Sequence, residues 1–127
     1  MAKGASSKRN CGLSEAKKRL LDARQFLEAA EFVESSDVVA TNAIHSAIAA
    51  ADALTCFSLG ERSNDGNHKS AVTLLRKVDA KSATLLKRAL DLKTKAGYES
   101  EDISIADAKA CIRRATSLIS VAERKLR

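Results

Sequence analysis

From Ala40 to Leu59 the chain reads ATNAIHSAIAAADALTCFSL, and apolar positions recur on most sides of a 3.6-residue helix. Ala43, Ile44, Ala47, Ile48, Ala50, Ala51, Leu54, Phe57 and Leu59 carry that pattern. A helix apolar nearly all round belongs in the middle of a bundle, because at the surface it would leave too much apolar area in water. Its alanines let neighbouring helices come close. The segment before it is one-sided. Ala16, Leu20, Ala23, Leu27 and Ala30 form a stripe, widened by Phe26 and Val33, which predicts a helix from Ser14 to Glu34 with Ser14 as its N-cap. Ser35-Ser36-Asp37 is a cap-rich break between the two. Gly60 stands where a helix C-terminus calls for a left-handed residue.

The pattern then becomes polar from Gly60 to His68. Asn67 or Asp65 can cap the next helix, which puts His68 in its first turn. Ala71, Val72, Leu74, Leu75 and Val78 give that helix an apolar side, and Asp79 starts another. A helix is expected from Ala80 to Ala96, burying Leu85, Leu86, Ala89, Leu90 and Leu92 and ending at Gly97. Tyr98 to Ile103 is a short acidic loop. Ser104 and Asp107 have the spacing of a capping box, followed by a helix from Ile105 to Lys125. Ile105, Ala108, Ile112, Ala115, Ile119 and Ala122 line its apolar face, widened by Leu118. No strand pattern or internal repeat is visible. The expected fold is all-α, an antiparallel bundle of four long helices plus one short one. Residues 13–127 form the single domain, and 1–12 (MAKGASSKRNCG) a disordered basic tail.

Composition narrows the function classes. A chain of 127 residues can bury a core without metal or disulfides. Aromatics make up only 3%, so that core is aliphatic and alanine-rich. The longest apolar run falls short of a membrane span, and no apolar region follows the basic N-terminal residues. The expected location is therefore cytoplasmic. Of the net charge of +6, Lys3, Lys8 and Arg9 supply three charges from the tail. The remainder permits binding to nucleic-acid phosphates without demanding it. Cys11, Cys56 and Cys111 are odd in number, widely spaced and without a CxxC, so neither a zinc site nor a disulfide framework is indicated. Cys56 and Cys111 read as small buried apolar residues, and Cys11 as an exposed thiol.

The polar loop holds the candidate chemistry. Arg62 can grip a phosphate through its planar fork, and His68 is the natural acid/base group near neutral pH. Asn64 and Asp65 lie between them. The plainer alternative is a surface arginine and an ordinary helix-start histidine. Asp52, two turns before the loop, belongs with Asn42, His45 and Cys56 to a thin polar stripe on the apolar helix. It either fixes helix packing or orients Arg62 or His68. His45 reads as a satisfied core or interface histidine. Lys17, Lys18, Arg19 and Arg24 read as a solvated face or part of an RNA footprint. There is no serine–histidine–acid set, no glycine-rich phosphate loop and no metal-ligand spacing, so neither a metal nor a cofactor is expected.

The stretch NAIHSAIAAADALTCFSLGER followed by SNDGNHKSAVTLLRKV resembles the HEPN family, the higher eukaryotes and prokaryotes nucleotide-binding domains. The likeness extends more weakly through KTKAGYES and the last helix. The resemblance implies a helical bundle that works as a homodimer. It also implies a metal-independent RNA endonuclease of toxin or defence type, with a possible antitoxin or operon-encoded protein partner. The family motif is an Arg and a His four to six residues apart at the junction into a helix; Arg62 and His68 have five residues between them. By that likeness His68 serves as acid/base for attack by the ribose 2′-hydroxyl or as a ligand of the phosphate, and Arg62 stabilises the charge that develops. Asp52, Asn64 and Asp65 would support them. Ser63 stands where the family commonly has Asn, Asp or His. Ser70 stands where toxins modified by a nucleotidyltransferase partner often have Tyr, so that route is not implied here. Other family members bind a protein partner or a nucleotide without cleaving RNA, which gives the alternative reading.

Overall fold

The computed structural model describes residues 8–31, 34–64, 67–98 and 103–127, with backbone only for 93–98. Five helices dominate: α1 (Leu13–Glu31), α2 (Ser36–Leu59), α3 (His68–Val78), α4 (Ala80–Tyr98) and α5 (Ile105–Lys125). Two three-residue strands, β1 (Lys8–Asn10) and β2 (Glu61–Ser63), pair antiparallel. The described residues thus form a helical bundle of four long helices and a short one.

Helix α2 is the hub and packs against all four of the other helices. Thirteen of its residues are buried, seven of them alanines, and Ile44 and Leu54 are fully enclosed. The small side chains let α1 approach closely enough for the Ser46 hydroxyl to donate to the Ala23 carbonyl at 2.7 Å. That bond and the Arg19–Asp52 contact near the opposite ends of the two segments make α1 and α2 antiparallel. Helices α2 and α5 instead begin at the same end, where the Ile103 N–H donates to the Asp37 carboxylate at 2.7 Å. Phe57 and Leu59, read from the pattern as part of the apolar rod, are 44% and 37% exposed where α2 emerges from the bundle.

Most helix boundaries follow from caps. Ser35 caps α2 through the Val38 N–H, Asn67 caps α3 through the Ser70 N–H, and Ser104 caps α5 through the Asp107 N–H. The Asp79 carboxylate accepts from the Ser82 N–H at 3.2 Å and splits α3 from α4. Gly60 closes α2 with φ +70°, a conformation open to glycine and costly for most side chains.

Several expectations are corrected. Helix α1 begins at Leu13, with the Gly12 carbonyl accepting from Ala16 N–H, so Ser14 lies inside the first turn and is not the N-cap. Val33, assigned to the α1 stripe, lies outside the described residues. Gly97 does not end α4, which runs to Tyr98. Ile105 is 68% exposed, because it opens α5 beyond its neighbours; Ile103, just before the cap, is the buried residue. The segment from Lys8 onward is ordered by β1 and not part of a disordered tail. Cys11 is bonded to buried Cys56 and is not an exposed thiol, so a disulfide exists where none was expected; Cys111 is free and buried. Among the described residues no helix is long and apolar enough to cross a membrane.

Candidate functional site

The site is the segment between α2 and α3. It starts at Gly60, whose N–H donates to the Cys56 carbonyl at 3.0 Å. This left-handed turn sends the chain into β2, which pairs with β1 in the register Lys8↔Ser63, Arg9↔Arg62, Asn10↔Glu61. Two further links fasten β1 to the end of α2. The Cys11 N–H donates to the Gly60 carbonyl at 2.9 Å, and the Cys11–Cys56 disulfide spans a Cα–Cα distance of 5.4 Å.

Arg62 is buried, at 7% exposure, which excludes the surface-charge reading. Its Nη1 lies 3.6 Å from Asp52 Oδ2, and its Nε lies 4.0 Å from Glu15 Oε2. Asp52, itself 5% exposed, also accepts from Arg19 Nε at 3.1 Å. Arg19 reaches back along α1 to Asp22 at 2.9 Å, and Asp22 takes a second ion pair from Lys18. Acids and bases therefore alternate from Lys18 through Asp22, Arg19, Asp52 and Arg62 to Glu15. Burial raises the Asp22 pKa, but the hydrogen bonds and charges of Lys18 and Arg19 outweigh it and leave the carboxyl below its ordinary value. Asp52 thus links α1 to α2 through Arg19 and also lies beside Arg62.

His68 is the first residue of α3 and half-buried. It lines a cleft of about 430 Å³ between α3 and α4, whose cations are Lys69, Arg76 and Lys87 and whose apolar wall includes Val72 and Leu90. Asp91 also lines this cleft, paired with Lys87 at 3.0 Å. Arg62 is not among the described lining residues of the cleft. The two motif residues therefore have different surroundings, one in an internal ion chain and one facing a basic cleft. Asn64 shapes the turn between them, its carbonyl accepting from the Asn67 N–H at 3.0 Å. Asp65 lies outside the described residues.

His45 packs edge-tilted on Phe26 with ring centroids 5.2 Å apart, between α2 and α1 and away from the loop. Cys11, Glu15 and Cys56 bring donor atoms within 4.8 Å of one another, but the two sulfurs are bonded to each other, which removes them as thiolate ligands. Sequence reasoning missed Arg19, taken for a face residue, and Lys8, taken for tail. The only signal for Arg19 was the presence of a buried-pattern Asp52 that needed a partner.

Comparison with protein-family models, curated proteins and solved structures finds no match for this chain.

Proposed function

We propose that this protein is an RNA-binding helical module of the HEPN type and a metal-independent RNA endonuclease, with His68 as its acid/base. The observation that carries the reading is His68 at the head of α3, opening onto a cleft lined by Lys69, Arg76 and Lys87. Three cations beside one imidazole suit a phosphodiester, which needs charge neutralisation and a proton acceptor at the attacking oxygen. In the step proposed, the ribose 2′-oxygen bonds to phosphorus as His68 takes its proton, and the bond to the 5′-oxygen breaks. The products are a 2′,3′-cyclic phosphate and a 5′-hydroxyl once a proton returns to the leaving oxygen. The requirement for a 2′-hydroxyl selects RNA over DNA. Arg62 supports the site from behind, holding the β2–α3 junction against Asp52. Homodimerisation would juxtapose two such loops. Exposed Phe57 and Leu59, immediately before Gly60, offer apolar surface for it at that end of α2.

The burial of Arg62 favours a second reading, a module that binds RNA or a protein partner, such as an antitoxin, without cleavage. One experiment separates them. Wild type, Arg62→Ala and His68→Ala are incubated with mixed RNA in excess EDTA, and fragment ends are analysed. Cleavage by wild type that His68→Ala abolishes supports the endonuclease. Cleavage unchanged by both substitutions, or none by wild type, removes it and leaves the binding module.

A further inference from the structure

We propose that the disulfide-pinned strand β1 completes a three-lysine cleft beside α3 that grips a phosphodiester of single-stranded RNA, and that reduction of Cys11–Cys56 takes the cleft apart. This cleft is distinct from the one that His68 lines. It measures about 420 Å³, and its cations are Lys8 from β1 with Lys69 and Lys77 from α3. No carboxylate is among its described lining residues, while Ser70 and Thr73 supply hydroxyls and buried Leu74 contributes apolar wall. Lys8 pairs with Glu61 at 3.1 Å and keeps 41% of its side chain exposed. The Glu61 contact positions Lys8, and its ammonium puts a third positive charge at the cleft. Lys69 faces both clefts, which joins them into one basic track along the two flanks of α3.

Lys8 stands there only as long as β1 does. A two-stranded ribbon of three residues is marginal on its own. Its central pair sets exposed Arg9 opposite buried Arg62, whose charge is met by Asp52 and Glu15, so the pair adds no ionic bond of its own to the ribbon. Beyond the ribbon, the Cys11 N–H bond to Gly60 and the covalent link to Cys56 hold the segment to α2. When a dithiol such as dithiothreitol reduces the bond, each sulfur gains one electron and one proton and the reagent closes to its own disulfide. The segment then rests on the three-residue ribbon, the Lys8–Glu61 pair and the Cys11 N–H bond to Gly60, and Lys8 leaves the cleft.

The inference takes RNA as the ligand from the proposed function, but it does not need cleavage. The test is titration of a short fluorescein-labelled 2′-O-methyl oligonucleotide, which cannot be cleaved, in EDTA over a range of salt. Oxidised wild type should bind, and Lys8→Ala should weaken binding severalfold and reduce the slope of log affinity against log salt by about 0.7. Reduced wild type and Cys11→Ser should match oxidised Lys8→Ala, and Lys8→Ala should change nothing further once the protein is reduced. Lys77→Ala, which leaves the strand and disulfide intact, should give the same slope change in the oxidised protein. Absence of binding by oxidised wild type overturns the proposal. So does a Lys8→Ala loss of equal size in both redox states, which would mark Lys8 as a mere tail charge. Competition by inorganic phosphate at matched ionic strength and equal phosphate concentration, as strong as by unlabelled oligonucleotide, would reassign the cleft to a free anion. Binding as expected with no cleavage of natural RNA would retain the cleft and remove the endonuclease; cleavage with redox-independent binding would do the reverse.

Discussion

Arg62 Nη1 lies 3.6 Å from Asp52 Oδ2, with both side chains more than nine-tenths buried, at 9% and 7% exposure. The same oxygen takes Arg19 at 3.1 Å, so one carboxylate serves two guanidinium groups from two elements. A carboxylate buried in this way loses hydration, and the Arg19 hydrogen bond and the adjacent Arg62 charge replace part of it. The consequence is that the loop before α3 is tied to the central helix by charge as well as by the Gly60 turn.

Removing that anchor should be expensive. Asp52→Ala leaves Arg62 buried without its nearest acid, and we expect a loss of about 3–5 kcal/mol, the range for breaking a buried ion pair from one side. Asp52→Asn keeps shape and one acceptor but not the charge, so it should fall between. Urea denaturation followed by circular dichroism measures both. A loss below about 1 kcal/mol for Asp52→Ala would mean that the ion chain contributes little and that apolar packing alone fixes the loop.

The two motif residues should separate by stability. His68 opens a helix at a half-buried position, so His68→Ala should change stability by no more than about 1 kcal/mol while removing any RNA cleavage. Arg62→Ala should lose activity together with several kcal/mol of stability. Arg62→Lys should restore little, because a lysine cannot reproduce the planar fork between Asp52 and Glu15. Denaturation midpoints and cleavage rates on the same protein samples test the pairing of effects. If Arg62→Ala folds as well as wild type, the arginine does not anchor the loop.

What the amino-acid pattern revealed was local. The all-round apolar run from Ala43 to Leu54 sufficed to place α2 at the centre, and Ser35, Asn67, Asp79, Ser104 and Gly60 marked helix ends through side-chain chemistry that acts over three or four residues. What escaped was non-local. Cys11 and Cys56 are 45 residues apart, and nothing in either neighbourhood marks the pairing. Strands of three residues are too short for an alternation to register, and β1 exists by virtue of its bonds to the end of α2. Arg19 read as a solvated charge because periodicity cannot tell that the facing helix carries a buried acid at that level. Ile105 kept the spacing of a core position but begins its helix outside the core. The loop stood out as a candidate site by its residue types, whereas the burial that divides Arg62 from His68 is a tertiary property.

Gly60 gives a sharper local test. Its φ of +70° is the only positive one among the described residues, and a Cβ there would meet nothing nearer than the Cys11 carbonyl at 3.8 Å, an ordinary contact. Strain in the backbone, not crowding, therefore sets the cost. Gly60→Ala should destabilise by about 1 kcal/mol, and Gly60→Asn by less, since asparagine tolerates the left-handed region. Thermal melts of the two variants give the order; equal losses would point to crowding instead.

Cys111 should behave as a protected thiol. Burial pushes its pKa up, and the opposing influence of Arg114 does not cancel that. The thiolate is the reactive form, so iodoacetamide at pH 8 should leave Cys111 unmodified in the folded protein. A raised pKa also ties folding to pH. As pH climbs past the ordinary thiol value, the unfolded chain ionises first, and the stability associated with the neutral Cys111 falls until the folded-state value is passed. Cys111→Ser should therefore flatten the alkaline limb of a stability profile. Intact mass after alkylation should show no adduct on native protein and up to two after mild reduction; a third adduct without denaturant would place Cys111 nearer to solvent than its burial indicates.

The disulfide should matter for the whole domain as well as for β1. By the chain-entropy account, a link across 45 residues restrains the unfolded chain by about 4 kcal/mol. That figure applies if the unfolded state alone changes. Relaxation of the folded segment around the link can take up part of that loss. We therefore expect Cys11→Ser to destabilise by about 2–4 kcal/mol, with added reductant lowering wild type to the same midpoint. Amide exchange should accelerate first at Cys11 and across Glu61–Ser63, while α2 stays protected. Should Cys11→Ser unfold at the wild-type denaturant concentration, the link would be a local strap with no hold on the bundle, and exchange confined to β1 and β2 would identify it as one.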